Sequence, residues 1–380
     1  MQTDTFHPAR LSSADETAWR SLTAAGGAFA SPLLGPDFAR AVGARREDAR
    51  VTVWRDDQGA PLGFLAHHRR PGGLARPIGA PLSDYHAVVA RPGLDVAKAL
   101  AAADIAAYRF SGLIDPDADC ASASHAKRDA FLIELAGSAE DYLEALRAQS
   151  PKRFKNYRRL DHKLDREVGA LEIRAPDHDP AAFDQLIAWK RDQLARTGGA
   201  DFLRPDWTRD LMRDLFEHRE GEFRGLMINL YAGGRLVAGH FGVRTGEVYH
   251  PWIASTDPEC APWSPGQVFL LRAIAAMPDL GLSVYDLGPG HEHYKRPYAL
   301  STRTISEGVV TAAGPRGRAA QAAEQAWTLA GAHRDGAVAR LRRRLEAIAT
   351  TELSFTGRAR GLAEAVAARA FTRLPESPNA

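Results

Sequence analysis

The stretch EFRGLMINLYAGGRLVAGHFGVRTGEVYHPWIAS, residues 222–255, decides the fold. It holds three strand-like runs, 223–231, 235–244 and 247–255, parted by Ala232-Gly233-Gly234 and Thr245-Gly246. Short glycine turns between alternating apolar runs predict hairpins, because glycine tolerates the left-handed backbone such turns demand. The reading is an antiparallel meander. An irregular loop over 256–263 follows, then Ser264-Pro265-Gly266-Gln267 opens an apolar helix over 268–277. A further strand, 282–287, runs into Gly288-Pro289-Gly290 and on to His291-Glu292-His293-Tyr294-Lys295.

Outward from this stretch the chain alternates helices and strands. Residues 1–49 read as helices with Phe29 and Phe38 as core anchors, and strands are expected at 50–55 and 62–69 around the turn Asp56-Asp57-Gln58-Gly59. Further strands are expected at 85–89, 107–111 and 131–135, a helix at 96–103, and an exposed polar loop over 115–127. Ser138, with Asp141 three residues on, caps a helix, and Ser150-Pro151 opens a second one to about residue 168. A short strand at 171–174 precedes a helix from Asp179-Pro180 to 196, striped by Phe183, Leu186, Ile187, Trp189 and Leu194. Another helix covers 207–218, and the last strands lie within 302–312. From Pro315 the composition turns to Ala and Arg, predicting three helices at 317–331, 336–350 and 357–374.

The chain has 380 residues, too many for one ordinary core, and a net charge of +2, which exerts no global pull on nucleic acid or membrane. Cys120 and Cys260 lie far apart and match no metal spacing, so reduced thiols and no metal site are expected. Met1-Gln2-Thr3-Asp4-Thr5 opens no signal sequence, and no apolar run approaches the ~20 residues of a membrane span. A cytoplasmic location is the expectation.

The order of meander, loop, helix, strand, glycine and tyrosine resembles the acyl-CoA-binding half of the GNAT acetyltransferases. It is most similar to the type found in bacterial cellulose and exopolysaccharide biosynthesis, related to the Fem-type transferases. The residues that carry the resemblance are Gly234-Arg235-Leu236-Val237-Ala238, Ser264-Pro265-Gly266, Asp286-Leu287-Gly288 and Gly290 through Lys295, with Ser83-Asp84-Tyr85 and the basic segment 150–166 beside them. The resemblance implies an α/β protein of tandem GNAT-like domains, with mixed, largely antiparallel sheets flanked by helices. Residues 1–137 would be a degenerate first copy, 138–313 the acyl-CoA-binding domain and 314–380 a helical appendage. It further implies an acyltransferase that uses acyl-CoA, acetyl-CoA above all, on a small-molecule or glycan acceptor such as an envelope precursor. Contact with membrane-bound polysaccharide machinery fits that setting. Two rivals stand beside it: an aminoacyl-tRNA-dependent Fem-type transferase, and a scaffold that keeps the fold without the chemistry.

Thioester acyl transfer needs a pantetheine partner, an oxyanion donor, a base for the acceptor and an acid for the thiolate. An open strand edge around 249–255 would supply main-chain groups, those of Ile253 and Ser255 among them. Ser264, Gly266 and Gln267, with Lys295 and Arg296 nearby, are the expected phosphate contacts, since the first N–H groups of a helix are free and its dipole favours anions. Tyr294 is the expected acid, a phenol protonated at neutral pH. Base candidates are Glu292, His240 and Asp286, with His250 and His291 also in reach of the same strands. Lys152, Arg153, Lys155, Arg158, Arg159, Lys163 and Arg166 form the densest basic run; Lys155, Arg159 and Lys163 share one helical stripe. That run is either a solvated face or a reader of anions, and nucleic acid is not the favoured partner.

Overall fold

In a computed structural model, which describes residues 1–24, 26–197, 201–290, 292–332, 336–351 and 356–363, thirteen strands share one sheet. In chain order they are β1 (Gln2–Phe6), β2 (Ala49–Arg55), β3 (Pro61–Arg70), β4 (Leu74–Pro77), β5 (Val89–Ala90), β6 (Ala107–Leu113) and β7 (Ser124–Glu134). There follow β8 (Leu171–Arg174), β9 (Phe223–Ala232), β10 (Arg235–Thr245), β11 (Val248–Thr256), β12 (Val284–Pro289) and β13 (Ser301–Thr311). Across the sheet the order is β1-β2-β3-β4-β6-β13-β7-β12-β11-β10-β9-β8, with β5 on β3. The fold is α/β, with a large mixed sheet flanked by helices.

The meander β9-β10-β11 is antiparallel throughout, as its glycine turns require. The two halves of the chain interlock. Strand β13 lies between β6 and β7, and β7 lies between β13 and β12. The polar residues Ser124 to Lys127, expected in a loop, begin β7 by pairing with β13. Their side chains are mostly exposed, so they carry no apolar alternation by which a strand is recognised. The edge strand β1 was likewise unmarked. Of the strand expected at 85–89, only Val89–Ala90 forms, pairing with β3.

Alternation along β9 sends Met227 to one face and Leu226, Ile228 and Leu230 to the other. On the first face, Phe183 and Leu186 of the helix Pro180–Thr197 and Phe216 of the helix Asp206–Glu217 pack against Phe241, Val243 and Ile253. The Phe183 ring meets Phe241 edge-on at 4.9 Å. On the second face, the helices Ala139–Gln149, Pro151–Glu167 and Pro265–Ala276 cover Tyr249 and Tyr285 with Tyr157, Leu160, Leu164, Phe269 and Leu270. Each such side chain withdrawn from water contributes ~1.5–3 kcal/mol. Ser138 and Asp141 form the reciprocal cap read from sequence.

The helices Pro315–Leu329 and Ala337–Thr351 are fixed to the sheet by ion pairs. Arg76 of β4 reaches Glu346 at 2.5 Å, Arg109 of β6 binds Glu324, and Glu324 also holds the buried Arg342. Arg342 therefore serves this junction, and its charge is spent inward. Most of the third helix expected in the tail lies outside the described residues; 356–363 is helical. No helix among the described residues is long and apolar enough to cross a membrane.

Candidate active site

Strands β11 and β12 pair, in parallel, at only two positions: Val248 with Val284 and Tyr249 with Tyr285. Beyond Tyr249 they part. Pro251 has no N–H to offer a neighbour, and the register shift opposite Gly242 turns the strand at that point. The edge of β11 was expected to be open from Tyr249; among the described residues it has no partner strand on this side from His250 onward. A cavity of about 520 Å³ fills the gap and draws its walls from both helical layers. Trp189, Lys190, Gln193 and Arg196 come from one face; Gly266, Phe269, Tyr294 and Lys295 come from the other. The cavity therefore passes through the sheet.

Tyr294 sits on the short helix Glu292–Lys295, and its Oη donates to the Gly266 carbonyl at 3.2 Å. Burial pushes its phenol well above the ordinary value, so the hydroxyl is a proton donor at neutral pH. Lys295 Nζ donates to the Pro289 carbonyl at 2.7 Å. Its pKa is lowered by burial, against the pull of Asp84 and Asp286 and with the push of Lys190.

His240 lines the same cavity, its Nδ1 2.5 Å from Tyr285 Oη and its ring 4.5 Å from Phe269. Burial, reinforced by Lys295 and Lys190, lowers its pKa to about 3. Its Nδ1 is engaged by the Tyr285 hydroxyl, so the ring forms a hydrogen-bonded part of the cavity wall. Asp286 does not reach the cavity. It is buried, accepts from the Gly288 N–H at 2.9 Å and from Tyr85 Oη at 2.5 Å, and lies 3.7 Å from His250 Nδ1. Its position in the middle of β12, beside the register shift before Gly288, makes it a cap for the Gly288 N–H and an anchor for His250. The side chain of Glu292, and His291 altogether, lie outside the described residues.

The expected main-chain and phosphate contacts are divided. Ser255 and Gly266 line the cavity, though Ser255 Oγ is committed to the Leu186 carbonyl at 3.1 Å. The Ile253 side chain packs in the core, and its expected role is a main-chain one. Ser264 is left-handed (φ 50°) and makes no side-chain cap. The Gln267 N–H is spent on Ser264 and its carbonyl accepts from Tyr298. Since Pro265 has no N–H, Gly266 supplies the remaining donor of the first turn.

The carboxylate that does face the cavity is Asp84, which reading the meander alone had missed. Its side chain keeps 43 % of its exposure, while Oδ2 lies 3.2 Å from Nε2 of the fully buried His250. Burial alone would raise the Asp84 carboxyl, but His250, with Lys295 and His86 farther off, holds it below the usual range. Burial would lower His250; Asp286 and Asp84 on either side push it up to about 9. Two glycines permit this meeting. A Cβ on Gly112 would stand 2.0 Å from the Asp84 carbonyl, and Gly288 (φ 71°) leaves room for Asp84 Oδ2 and His250. The tripeptide Ser83-Asp84-Tyr85 was the sequence signal, and only as part of a resemblance.

This pairing has a measurable signature. His250 holds its proton more tightly in the folded chain than free imidazole at 6.5, so its stabilisation is complete below pH 6.5 and fades as pH rises through about 9. One histidine ring resonance should titrate near pH 9, and thermal stability should fall between pH 7 and 9.5. A His250 midpoint below 7 would contradict the arrangement.

The basic run forms the outer face of Pro151–Glu167, with Tyr157, Leu160 and Leu164 turned inward. Its acids do little to balance it. Asp161 is paired with Arg272 at 2.7 Å and Asp165 accepts from the Leu171 N–H, leaving Glu167 to meet Lys163 and Arg166.

Comparison with known proteins agrees with the topology. Residues 151–296 match the family model described as an acetyltransferase (GNAT) domain. Among solved structures the chain is similar to FemX, with a TM-score of 0.52 at 12% identity over 80% of this chain and 96% of that one. It is also similar to L-PGS from Bacillus licheniformis (TM-score 0.39, 10% identity, 74% of this chain and 88% of that one). A tandem GNAT protein from the clavulanic acid biosynthesis pathway gives a TM-score of 0.37 at 13% identity over 70% of this chain and 83% of that one. No curated protein matches the sequence. At such identities the likeness to FemX is one of fold. Splayed β11 and β12, and every described wall residue of the cavity between them except Asp84, fall within the segment that matches the GNAT domain model.

Proposed function

We propose that the protein transfers an acyl group, acetyl above all, from acyl-CoA to the amine or hydroxyl of a sugar, envelope precursor or related metabolite. The observation that carries this reading is the cavity crossing the sheet where β11 and β12 part. The thioester enters from the Gly266 and Tyr294 side, and its pantetheine lies along the unpaired edge of β11, whose N–H groups face the thioester carbonyl. The acceptor enters from the Lys190 side, beside Asp84.

Asp84, held ionised by His250, receives the N–H or O–H of the acceptor and orients it on the carbonyl carbon. As the new C–N or C–O bond forms and the C–S bond breaks, the acceptor's proton passes to Asp84 and on to water. The Tyr294 proton passes to the departing thiolate, and water restores it. Transfer is direct. Cys120 and Cys260 are both buried, their thiols pushed up chiefly by burial, and neither lines the cavity.

The test is acetyl-CoA binding by calorimetry in the wild type and in Gly266→Val. A Cβ at Gly266 stands 3.1 Å from the Thr256 methyl and 3.4 Å from Tyr294 Oη, so the larger branch fills the thioester channel. Affinity should fall at least about tenfold, the ~1.4 kcal/mol that one lost contact and a displaced hydroxyl supply, while the melting temperature changes little. Equal affinity in the two proteins would remove the donor site from this cavity.

A second reading, transfer from aminoacyl-tRNA, draws on the unbalanced outer face of Pro151–Glu167. Tight, salt-dependent tRNA binding without CoA binding would favour it.

A further inference from the structure

The charges on the cavity wall do not cancel. Among the described residues Lys190, Arg196 and Lys295 face it, against the one carboxylate of Asp84, which is already engaged by His250. Lys295 is tied to the Pro289 carbonyl. Lys190 donates only to the Gln193 side-chain oxygen, at 3.1 Å, and Arg196 has no hydrogen-bond or ion-pair partner among the described residues. Burial lowers the Lys190 pKa against the pull of Asp84, as expected of a cation partly withdrawn from water.

Both cations stand at the mouth opposite Gly266 and Tyr294, on the helix Pro180–Thr197 of the other layer. Trp189, Phe202 and Trp252 flank them and offer flat apolar walls. A donor whose phosphates lie toward the Pro265–Ala276 helix places its uncharged arm in the gap, so it leaves these two cations unanswered.

We propose that Lys190 and Arg196 form an anion subsite, and that the acceptor is a small molecule bearing a carboxylate or phosphate besides the group that is acylated. This rests on the acyl-transfer reading for its word acceptor; the subsite itself rests on the two side chains. Lys190 contributes N–H donors from a partly buried amine, and Arg196 a guanidinium fork suited to two oxygens at once. The anion anchors one end of the acceptor while Asp84 takes the nucleophile.

Inorganic phosphate and malonate, titrated calorimetrically into protein saturated with CoA, test the subsite. One of the two should bind, phosphate marking a phosphoryl acceptor and malonate a carboxylate one. Lys190→Met and Arg196→Met, which keep the aliphatic stems, should each weaken that anion about tenfold while leaving CoA affinity within twofold. The proposal is overturned if neither anion binds the wild type, if binding survives both substitutions unchanged, or if the substitutions weaken CoA instead. Should CoA itself not bind, the acyl-CoA reading fails alone, and the same titrations on the free protein still decide the subsite.

Discussion

Asp84→Asn should lower kcat/KM for acyl transfer by about 10²–10⁴-fold while acetyl-CoA binds as before. The amide is nearly isosteric, and the side chain is 43 % exposed at the cavity, so the fold has little to lose. What disappears is the negative charge beside the attacking atom. The same change removes one of the two carboxylates that push His250 up to about 9, so the ring's midpoint should move down in the variant. A shift in the His250 titration with an unchanged rate would leave Asp84 a structural partner of the imidazole and nothing more. A lost rate with the shift places it at the reacting atoms. Asp286→Asn should show the opposite balance. That carboxylate is buried and accepts from the Gly288 N–H and Tyr85 Oη, so its loss falls first on stability.

Tyr294→Phe should reduce turnover by about 10²–10³-fold and leave acetyl-CoA affinity within a few-fold. The substitution keeps the ring that packs beside Tyr298 at 6.2 Å and deletes only the hydroxyl. Its bond to the Gly266 carbonyl is 3.2 Å long and, as a neutral pair, is worth about 1 kcal/mol. Thermal stability therefore changes modestly. If proton donation to the thiolate limits the rate, an acetyl thioester of a thiol more acidic than CoA should lose less activity in the variant than acetyl-CoA does. An undiminished rate in Tyr294→Phe, under conditions where chemistry limits turnover, would strip the hydroxyl of its role.

The meander was legible from sequence because its signals are local. Short glycine turns between alternating runs favour antiparallel pairing, and β9, β10 and β11 adopt it. The cap at Ser138 and the helix at Pro265 have the same local character, whereas β12 runs past the end expected at Leu287 and through Gly288 to Pro289. Tyr294, His240 and Gly266, named as site candidates from the meander and the segment after it, line one cavity.

Contacts between distant parts of the chain carried no such mark. Strand β7 has a polar first half, and a polar strand paired at its edges looks like a loop when read alone. Its insertion between β13 and β12 is a matter of tertiary pairing, and so is the approach of residue 84 to residue 250, 166 positions away. Sequence by itself determined which strands meander and which tyrosine follows them. The partner of His250, the burial that keeps His240 neutral, and the two cations at the far mouth were decided by the fold. Charge and burial belong to the space between elements, and that space exists only once the sheet has closed over both halves.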